Sequence, residues 1–262
     1  MKIATWNVNS LKVRLPHVLD WLAATQADVL CLQETKMEDK AFPYAELAAA
    51  GYQAAHNGQK AYNGVAILAR SPLEDIRFDI PAFADAQKRV LTATVNGLRI
   101  VCAYMPNGQA VGSDKYEYKL RWLAALAEYL RAELQASPRL ALLGDCNIAP
   151  DDRDVHDPVA WKDQILCSEP ERAAYRQFLD LGLTDAFRLF EQPEKSYSWW
   201  DYRQMGFRLN RGLRIDHILL SKPLADGCRA CAIDKTPRKL ERPSDHAPVV
   251  ATLAATVETG PR

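Results

Sequence analysis

Short apolar runs separated by polar clusters dominate the chain, and helical spacing shows in only a few places. Ile3 to Val8, Asp28 to Gln33, Val65 to Ala69, Ile215 to Leu220 and Val249 to Leu253 are strand-length runs bounded by polar or turn-forming residues. Leu91 to Val95 and Leu98 to Tyr104 flank Asn96-Gly97, whose access to left-handed backbone suits a two-residue hairpin. Leu15, Val18, Leu19, Leu22 and Ala23 recur with the helical period, with Pro16 placed near that helix's first turn. A longer stripe of Leu120, Leu123, Ala124, Ala127, Leu130 and Leu134 predicts a helix from about Tyr116 to Gln135, ended by Ser137-Pro138. A further helix is predicted over Glu169 to Leu181. Many short strands, a hairpin and helices at intervals predict an α/β sandwich of largely antiparallel sheets covered by helices. There is no repeat and no low-complexity linker, so one domain is expected over residues 1–254, with 255–262 as a frayed tail.

Leu140-Ala-Leu-Leu runs straight into Gly144, Asp145 and, two positions on, Asn147, before Pro150. A run bounded in this way reads as a buried strand. If the extended backbone continues past Gly144, Asp145 and Asn147 share a face and point into one cleft. A polar turn after a buried strand is the bland alternative. Polar residues also gather at the ends of the other predicted strands: Asn7, Glu34, Tyr104, Asp216-His217 and Ser244-Asp245-His246. Singly each is ordinary, since a Glu after a strand is usually solvated and an Asp-His pair is usually a turn. Together they form the pattern of catalytic groups held at the loop ends of a rigid scaffold.

Charge and cysteine usage narrow the options. Lys+Arg and Asp+Glu are both 33, so no global field draws a polyanion, and any nucleic-acid contact needs a local patch. Arg203, Arg208, Arg211 and Arg214 form one such patch with no acid between them, although a solvated face reads the same way. Cys31 and Cys102 lie in apolar runs, where a thiol packs as a small hydrophobe. Cys228-x-x-Cys231 has no second pair at zinc spacing, so reduced thiols and a cytoplasmic location are expected. No run approaches membrane-spanning length and no secretory leader is recognised, so no membrane contact is expected. The candidate ligands are carboxylates and amides, which suits a hard cation such as Mg²⁺ or Mn²⁺. A His held by an Asp is a recurrent way to orient an imidazole. Phosphodiester hydrolysis needs a water nucleophile, a group to deprotonate it and positive charge at phosphorus, and this set matches those needs.

The motifs Thr5-Trp-Asn-Val-Asn-Ser-Leu11, Leu32-Gln-Glu-Thr-Lys36, Gly58-Gln-Lys60 and Gly144-Asp-Cys-Asn-Ile-Ala-Pro150 follow one another along the chain. Leu181-Gly-Leu-Thr-Asp185, Tyr197-Ser-Trp-Trp-Asp-Tyr-Arg203, Asn210-Arg-Gly-Leu-Arg-Ile-Asp216 and Arg242-Pro-Ser-Asp-His-Ala-Pro248 complete the series. In these motifs the chain resembles the exonuclease III family of DNA-repair nucleases, within the endonuclease/exonuclease/phosphatase superfamily that includes deoxyribonuclease I. The resemblance implies a four-layered α/β sandwich, two β-sheets between helices, with the active site at the sheet ends. It also implies a Mg²⁺-dependent exonuclease and abasic-site endonuclease acting on double-stranded DNA with abasic sites or damaged 3′ ends. A monomer is the default expectation.

On this resemblance Glu34 is expected to bind the metal, assisted by Asn7 and Asp245. Asp145 is expected to activate or orient the water, and Asn147 and His246 to hydrogen-bond the phosphate. Asp216 would orient His246, and Tyr104 would lie against the phosphate or leaving oxygen. Trp199, Leu213 and Ile215 fall at positions lining a pocket for a base-free sugar. Lys60, Arg89 and the Arg203–Arg214 patch, Arg211 included, are the expected phosphate contacts.

Some positions depart from the family pattern. Cys146 stands where a larger apolar residue is usual, and alternation turns it away from the cleft. His217 is expected to stand outside the chemistry. Asp151 to Asp157 is acidic and expected to be exposed. The segment 151–168, bulky at Trp161 and Leu166, has no clean match. It is expected beside the sugar pocket, where it would gate out an abasic site within a continuous strand. Two other functions are compatible with such a scaffold. A same-scaffold enzyme for phospholipid head groups or inositol phosphates is opposed by the Trp199 and Asn210–Asp216 segments. A non-catalytic DNA-binding scaffold is opposed by the filled catalytic positions.

Overall fold

Residue parity along the strands builds this molecule. The computed structural model describes residues 1–254, and the tail expected at 255–262 lies outside the described residues. In chain order the first elements are β1 (Lys2–Asn7), α1 (Leu11–Thr25), β2 (Val29–Gln33), α2 (Tyr44–Ala49), β3 (Gln53–Asn57) and β4 (Val65–Ala69). Next come β5 (Glu74–Phe78), β6 (Val90–Val95), β7 (Leu98–Tyr104), α3 (Asp114–Ala136), β8 (Leu140–Asp145) and α4 (Glu169–Asp180). Then follow β9 (Leu183–Asp185), β10 (Trp199–Trp200), β11 (Gly212–Leu213), β12 (Asp216–Ser221), α5 (Lys222–Asp226), β13 (Cys228–Ile233) and β14 (Val249–Leu253).

One sheet runs β13-β14-β1-β2-β4-β3, the other β5-β6-β7-β8-β12-β9, and β10-β11 is a small ribbon. Pairing is parallel between β1 and β2 and between β7 and β8, and antiparallel elsewhere among the described strands. In β1, Ile3 packs between the sheets, whereas Ala4 and Trp6 pack beneath α1 with Val18 and Leu22. In β8, Ala141 and Leu143 face the other sheet, whereas Leu140 and Leu142 meet Leu126 of α3 and Phe178 of α4. The result is the expected four layers of helix, sheet, sheet and helix. Because strand side chains alternate, Asn7 shares the parity of Ile3, Asp145 that of Leu143 and Asp216 that of Ile218. All three therefore end in the seam between the sheets.

The hairpin forms as predicted, with Val95 opposite Leu98 and left-handed backbone at Asn96 (φ 49°) and Gly97 (φ 71°). α1 begins at Leu11, which places Pro16 inside the helix and not in its first turn. Lys12, whose carbonyl loses the Pro16 partner, is exposed, so water can bond it. The apolar pattern missed β3, β5, β9, β10, β11, β13, α2 and α5. β5 is exposed along its whole length and carries Glu74, Asp75 and Arg77, as suits a protected edge. In β13 a register shift between Cys228 and Ala230 lets both Cys228 and Cys231 turn inward. All six cysteines are free.

Candidate active site

The extended backbone stops at Asp145, and Asn147 takes left-handed backbone (φ 49°). A tight turn, not strand alternation, therefore brings the two residues together. Asn147 N–H donates to Asp145 Oδ1 (2.9 Å), and its side chain donates to Met105 O (3.0 Å) while accepting from Asn107 Nδ2 (3.0 Å). Gly144 is required before the turn, because a Cβ there would lie 1.8 Å from Ala103 O. Cys146 turns away from the cleft into the core beneath α3 and α4, as alternation suggested.

Asn7 Nδ2 bridges the ends of two strands, donating to Glu34 Oε1 (2.8 Å) and Asp145 Oδ2 (2.9 Å). Glu34 Oε2 pairs with Lys36 Nζ (2.9 Å), and Lys36 also bonds Asn9 Oδ1. Burial resists the Glu34 charge, but Lys36 and the Asn7 amide outweigh it and hold the carboxyl below its usual range. Asn9, Ser10, Glu34 and Lys36 all have positive φ, a concentration of strained backbone at one spot.

His246 Nδ1 lies 2.8 Å from Asp216 Oδ2, and its Nε2 lies 3.8 Å from Asp145 Oδ2. Burial opposes the imidazolium, but Asp216 and Asp145 together raise His246 to about 10. Burial lifts the Asp145 carboxyl to about 7 against the pull of His246, and Asp216 adds to the lift. Ser198 Oγ donates to Asp216 Oδ2 (2.6 Å) and accepts the N–H groups of Ile215 and Asp216. The β10 segment runs beside His246, with Trp199 bridged to it and Ala247 N donating to Ser198 O (2.7 Å). Burial, with Glu34 and Asp145 nearby, pushes the Tyr104 phenol well up.

One ligand atom each from Glu34, Asp145 and His246 falls within 4.8 Å of the others. Carboxylates at the strand ends suit a hard divalent cation that keeps several waters, whereas His246, protonated and held by Asp216, stands beside such a cation as a donor and not as its ligand. Asp245 lies outside this group, since its oxygens accept from Asn9 Nδ2 (2.9 Å) and Trp199 Nε1 (3.0 Å). Asn7 turns its amide nitrogen to the two carboxylates while its oxygen accepts Asn9 N–H (3.0 Å), so it orients them.

Trp199, Leu213 and Ile215 do come together, in an apolar cluster with Ala149, Val155, Leu166 and Trp161. Val155 pairs with Leu213, and His156 N donates to Gly212 O (3.1 Å), so the 151–168 segment is seated on this wall. A cleft of about 350 Å³ opens alongside, with Trp161, Trp199, Arg203 and Arg211 in its lining. Trp200 is core, packed edge-on against Phe207.

The basic residues divide. Lys60 and Arg211 are exposed. Arg89 is buried with its guanidinium 4.8 Å from the Tyr104 ring centroid and donates to Gln87 Oε1 and Tyr104 O. It braces Tyr104. Arg214 is not a phosphate contact: it is buried, grips Asp154 through Nε (2.6 Å) and Nη2 (3.1 Å), and reaches Asp185 (2.8 Å). Asp154, expected in an exposed acidic stretch, is fully buried by the same pairing. His217 stands outside the catalytic cluster, as expected, with Nε2 on Ile148 O (3.0 Å). Sequence reasoning missed Asn9, Lys36, Ser198 and Asn107 as supports. Asn9, Lys36 and Ser198 sit inside recognised motifs, whereas nothing local marks Asn107.

This convergence of acids, amides and an Asp-supported His at the seam of a four-layered sandwich defines a phosphoester hydrolase with a place for a divalent cation. The chain belongs to the endonuclease/exonuclease/phosphatase family, whose model matches residues 4–246, and within it to the exonuclease III nucleases. It is 39% identical to exodeoxyribonuclease III of Haemophilus influenzae over 265 aligned positions, covering 96% of this chain and 99% of that protein. The structure of the 3′ phosphatase NExo from Neisseria bound to product DNA hairpin matches with a TM-score of 0.96 and 48% identity, covering 97% of this chain and 100% of that one. An AP endonuclease from Archaeoglobus fulgidus matches with a TM-score of 0.93 and 38% identity, at 97% and 100% coverage. The expected fold and enzyme class are borne out, and no helix among the described residues is long and apolar enough to cross a membrane.

Proposed function

We propose that this nuclease clears blocked 3′ ends of double-stranded DNA, and that the 151–168 segment restrains incision at abasic sites inside a continuous strand. One observation carries the reading: Val155 and Leu166 pack with Trp199, Leu213 and Ile215, filling the wall expected to receive a flipped base-free sugar. The Neisseria relative's description as a 3′ phosphatase bound to product DNA supports the same direction.

The roles follow from position. Asp145 takes the proton of the attacking water, since it is buried, aimed into the seam and steadied by Asn7. His246, held by Asp216, and Asn147 donate hydrogen bonds to the phosphate oxygens. Tyr104 lies against the phosphate on the Arg89 brace. Asp245 steadies Trp199. Glu34 anchors the cation, Mg²⁺ by preference and Mn²⁺ as substitute, which when bound draws charge from the phosphate oxygens. Lys60 and Arg211 contact phosphates along the duplex without reading sequence.

The test uses two labelled duplexes, one with a 3′-phosphate at a nick and one with an internal abasic analogue, in Mg²⁺ and in chelator. Faster release at the nick, abolished by chelation, is expected. Internal incision at equal or greater rate would remove the gate, and hydrolysis of neither DNA in Mg²⁺ or Mn²⁺ would remove the enzymatic reading.

A further inference from the structure

Lys119 of α3 and Glu171 of α4 are both completely buried, and nothing in the chemistry above uses them. Lys and Glu are almost never fully buried unless paired, and taking both charges out of water is costly. Ser168-Glu-Pro-Glu171 reads as a capping box, and a cap needs only a Glu at the surface. Burial of this one against an ammonium therefore calls for another account.

The contacts supply it. Lys119 Nζ donates to Asn147 O (2.7 Å) and Asn107 O (3.1 Å) and pairs with the Glu171 carboxylate. These carbonyls belong to the two asparagines whose side chains bond each other at the phosphate end of the cleft. Glu171 Oε1 also accepts Leu166 N–H (3.0 Å), while Oε2 accepts Ser168 N–H (3.0 Å) and its hydroxyl (2.6 Å). Ala149 N donates to Leu166 O (2.8 Å), so the same two stretches also touch through their backbones. Asn147 and Leu166 both have left-handed backbone (φ 49° and 72°), which Asn adopts readily but a bulky Leu holds only when its surroundings fix it.

We infer that the Lys119–Glu171 ion pair is a positioning device that ties the phosphate-facing Asn147 to the Leu166 wall of the sugar pocket. Neither residue touches substrate. The pair couples how well the phosphate is held to which DNA ends are admitted, and this rests on the 3′-end reading above. Loosening it frees Asn147 and Leu166 together.

Lys119→Met and the isosteric Glu171→Gln, which removes the charge and keeps a single acceptor oxygen for either Leu166 N–H or the Ser168 groups, test this in the full chain. On the 3′-phosphate nick, kcat is expected to fall about 10- to 100-fold with KM within about threefold, the pattern of a displaced supporting shell. The ratio of internal abasic incision to 3′-phosphate release is expected to rise. Hydrogen exchange provides a readout independent of activity: peptides covering 145–149 and 164–168 should lose protection together while 140–144 keeps it. Equal proportional loss on both DNAs, or loss of protection in only one of the two segments, would overturn the inference. If the parent protein hydrolyses neither DNA, the functional reading falls, and the exchange pattern still decides the coupling.

Discussion

His246 and His217 lie on either side of β12 and are driven in opposite directions. Asp216 and His217 are neighbours on that strand, so alternation sends them to opposite faces. On one face His246 meets Asp216 and Asp145, and despite burial it rises to about 10. On the other, burial and then Arg214 push His217 down to about 4. The second cluster is closed. Arg214 can only donate, so His217 Nδ1 accepts from it (3.0 Å) and Nε2–H donates to Ile148 O. Asp154 and Asp185 absorb the remaining guanidinium charge. The first cluster is left open: His246 Nε2 stands 3.8 Å from Asp145, beyond hydrogen-bond range, with both groups at the seam. A strongly shifted pKa thus marks buried charge and does not by itself mark catalysis. Here one cluster is left open at the seam, and the other fixes Asp154 and with it the start of the 151–168 segment.

Asp145→Asn breaks the open cluster at its base and should cause the largest effect. Single-turnover hydrolysis at saturating enzyme is expected to slow by about 10²–10⁴-fold with DNA binding retained. Turnover near the parent rate would remove Asp145 from that role.

Arg214→Met breaks the closed cluster. It leaves Asp154 and Asp185 buried without their main partner and should cost about 3–5 kcal/mol, seen as a fall of about 10 °C in Tm. DNA affinity of the folded variant should be unchanged. A loss of affinity with no loss of stability would instead restore Arg214 as a phosphate contact.

His217 gives the smallest and sharpest comparison. In the folded protein it stays neutral down to about pH 4, whereas an ordinary imidazole protonates near 6.5. Its contribution is complete above about pH 6.5 and is lost as the pH falls toward 4, by about 3 kcal/mol at the lower end. Urea unfolding at pH 7 and pH 4.5 should therefore show a smaller acid loss in His217→Gln than in the parent. An identical loss in both would mean that His217 titrates normally.

Much of this was legible in the chain itself. Apolar runs marked the core strands, Asn96-Gly97 marked the hairpin, and two leucine-rich stripes marked α1 and α3. Parity then carries Asn7, Asp145 and Asp216 toward one layer, because alternation is a local property of any strand. β5 and α5 escaped because their exposed surfaces carry no apolar period.

What the tertiary structure alone decided was partnership. The sheet order places β14, β1 and β2 in one layer opposite β8 and β12, which lets Asn7 bridge Glu34 and Asp145. Arg214 looked like part of an exposed basic patch, yet its acid comes from 60 positions away. Asp245 found Trp199, Arg89 found Tyr104, and Lys119 found Glu171 in the same way. Whether a charged side chain is exposed, paired or reactive depends on what distant segments bring to it. Alternation and helical period are set by neighbouring residues, whereas burial and partners are set by packing between elements far apart in the chain.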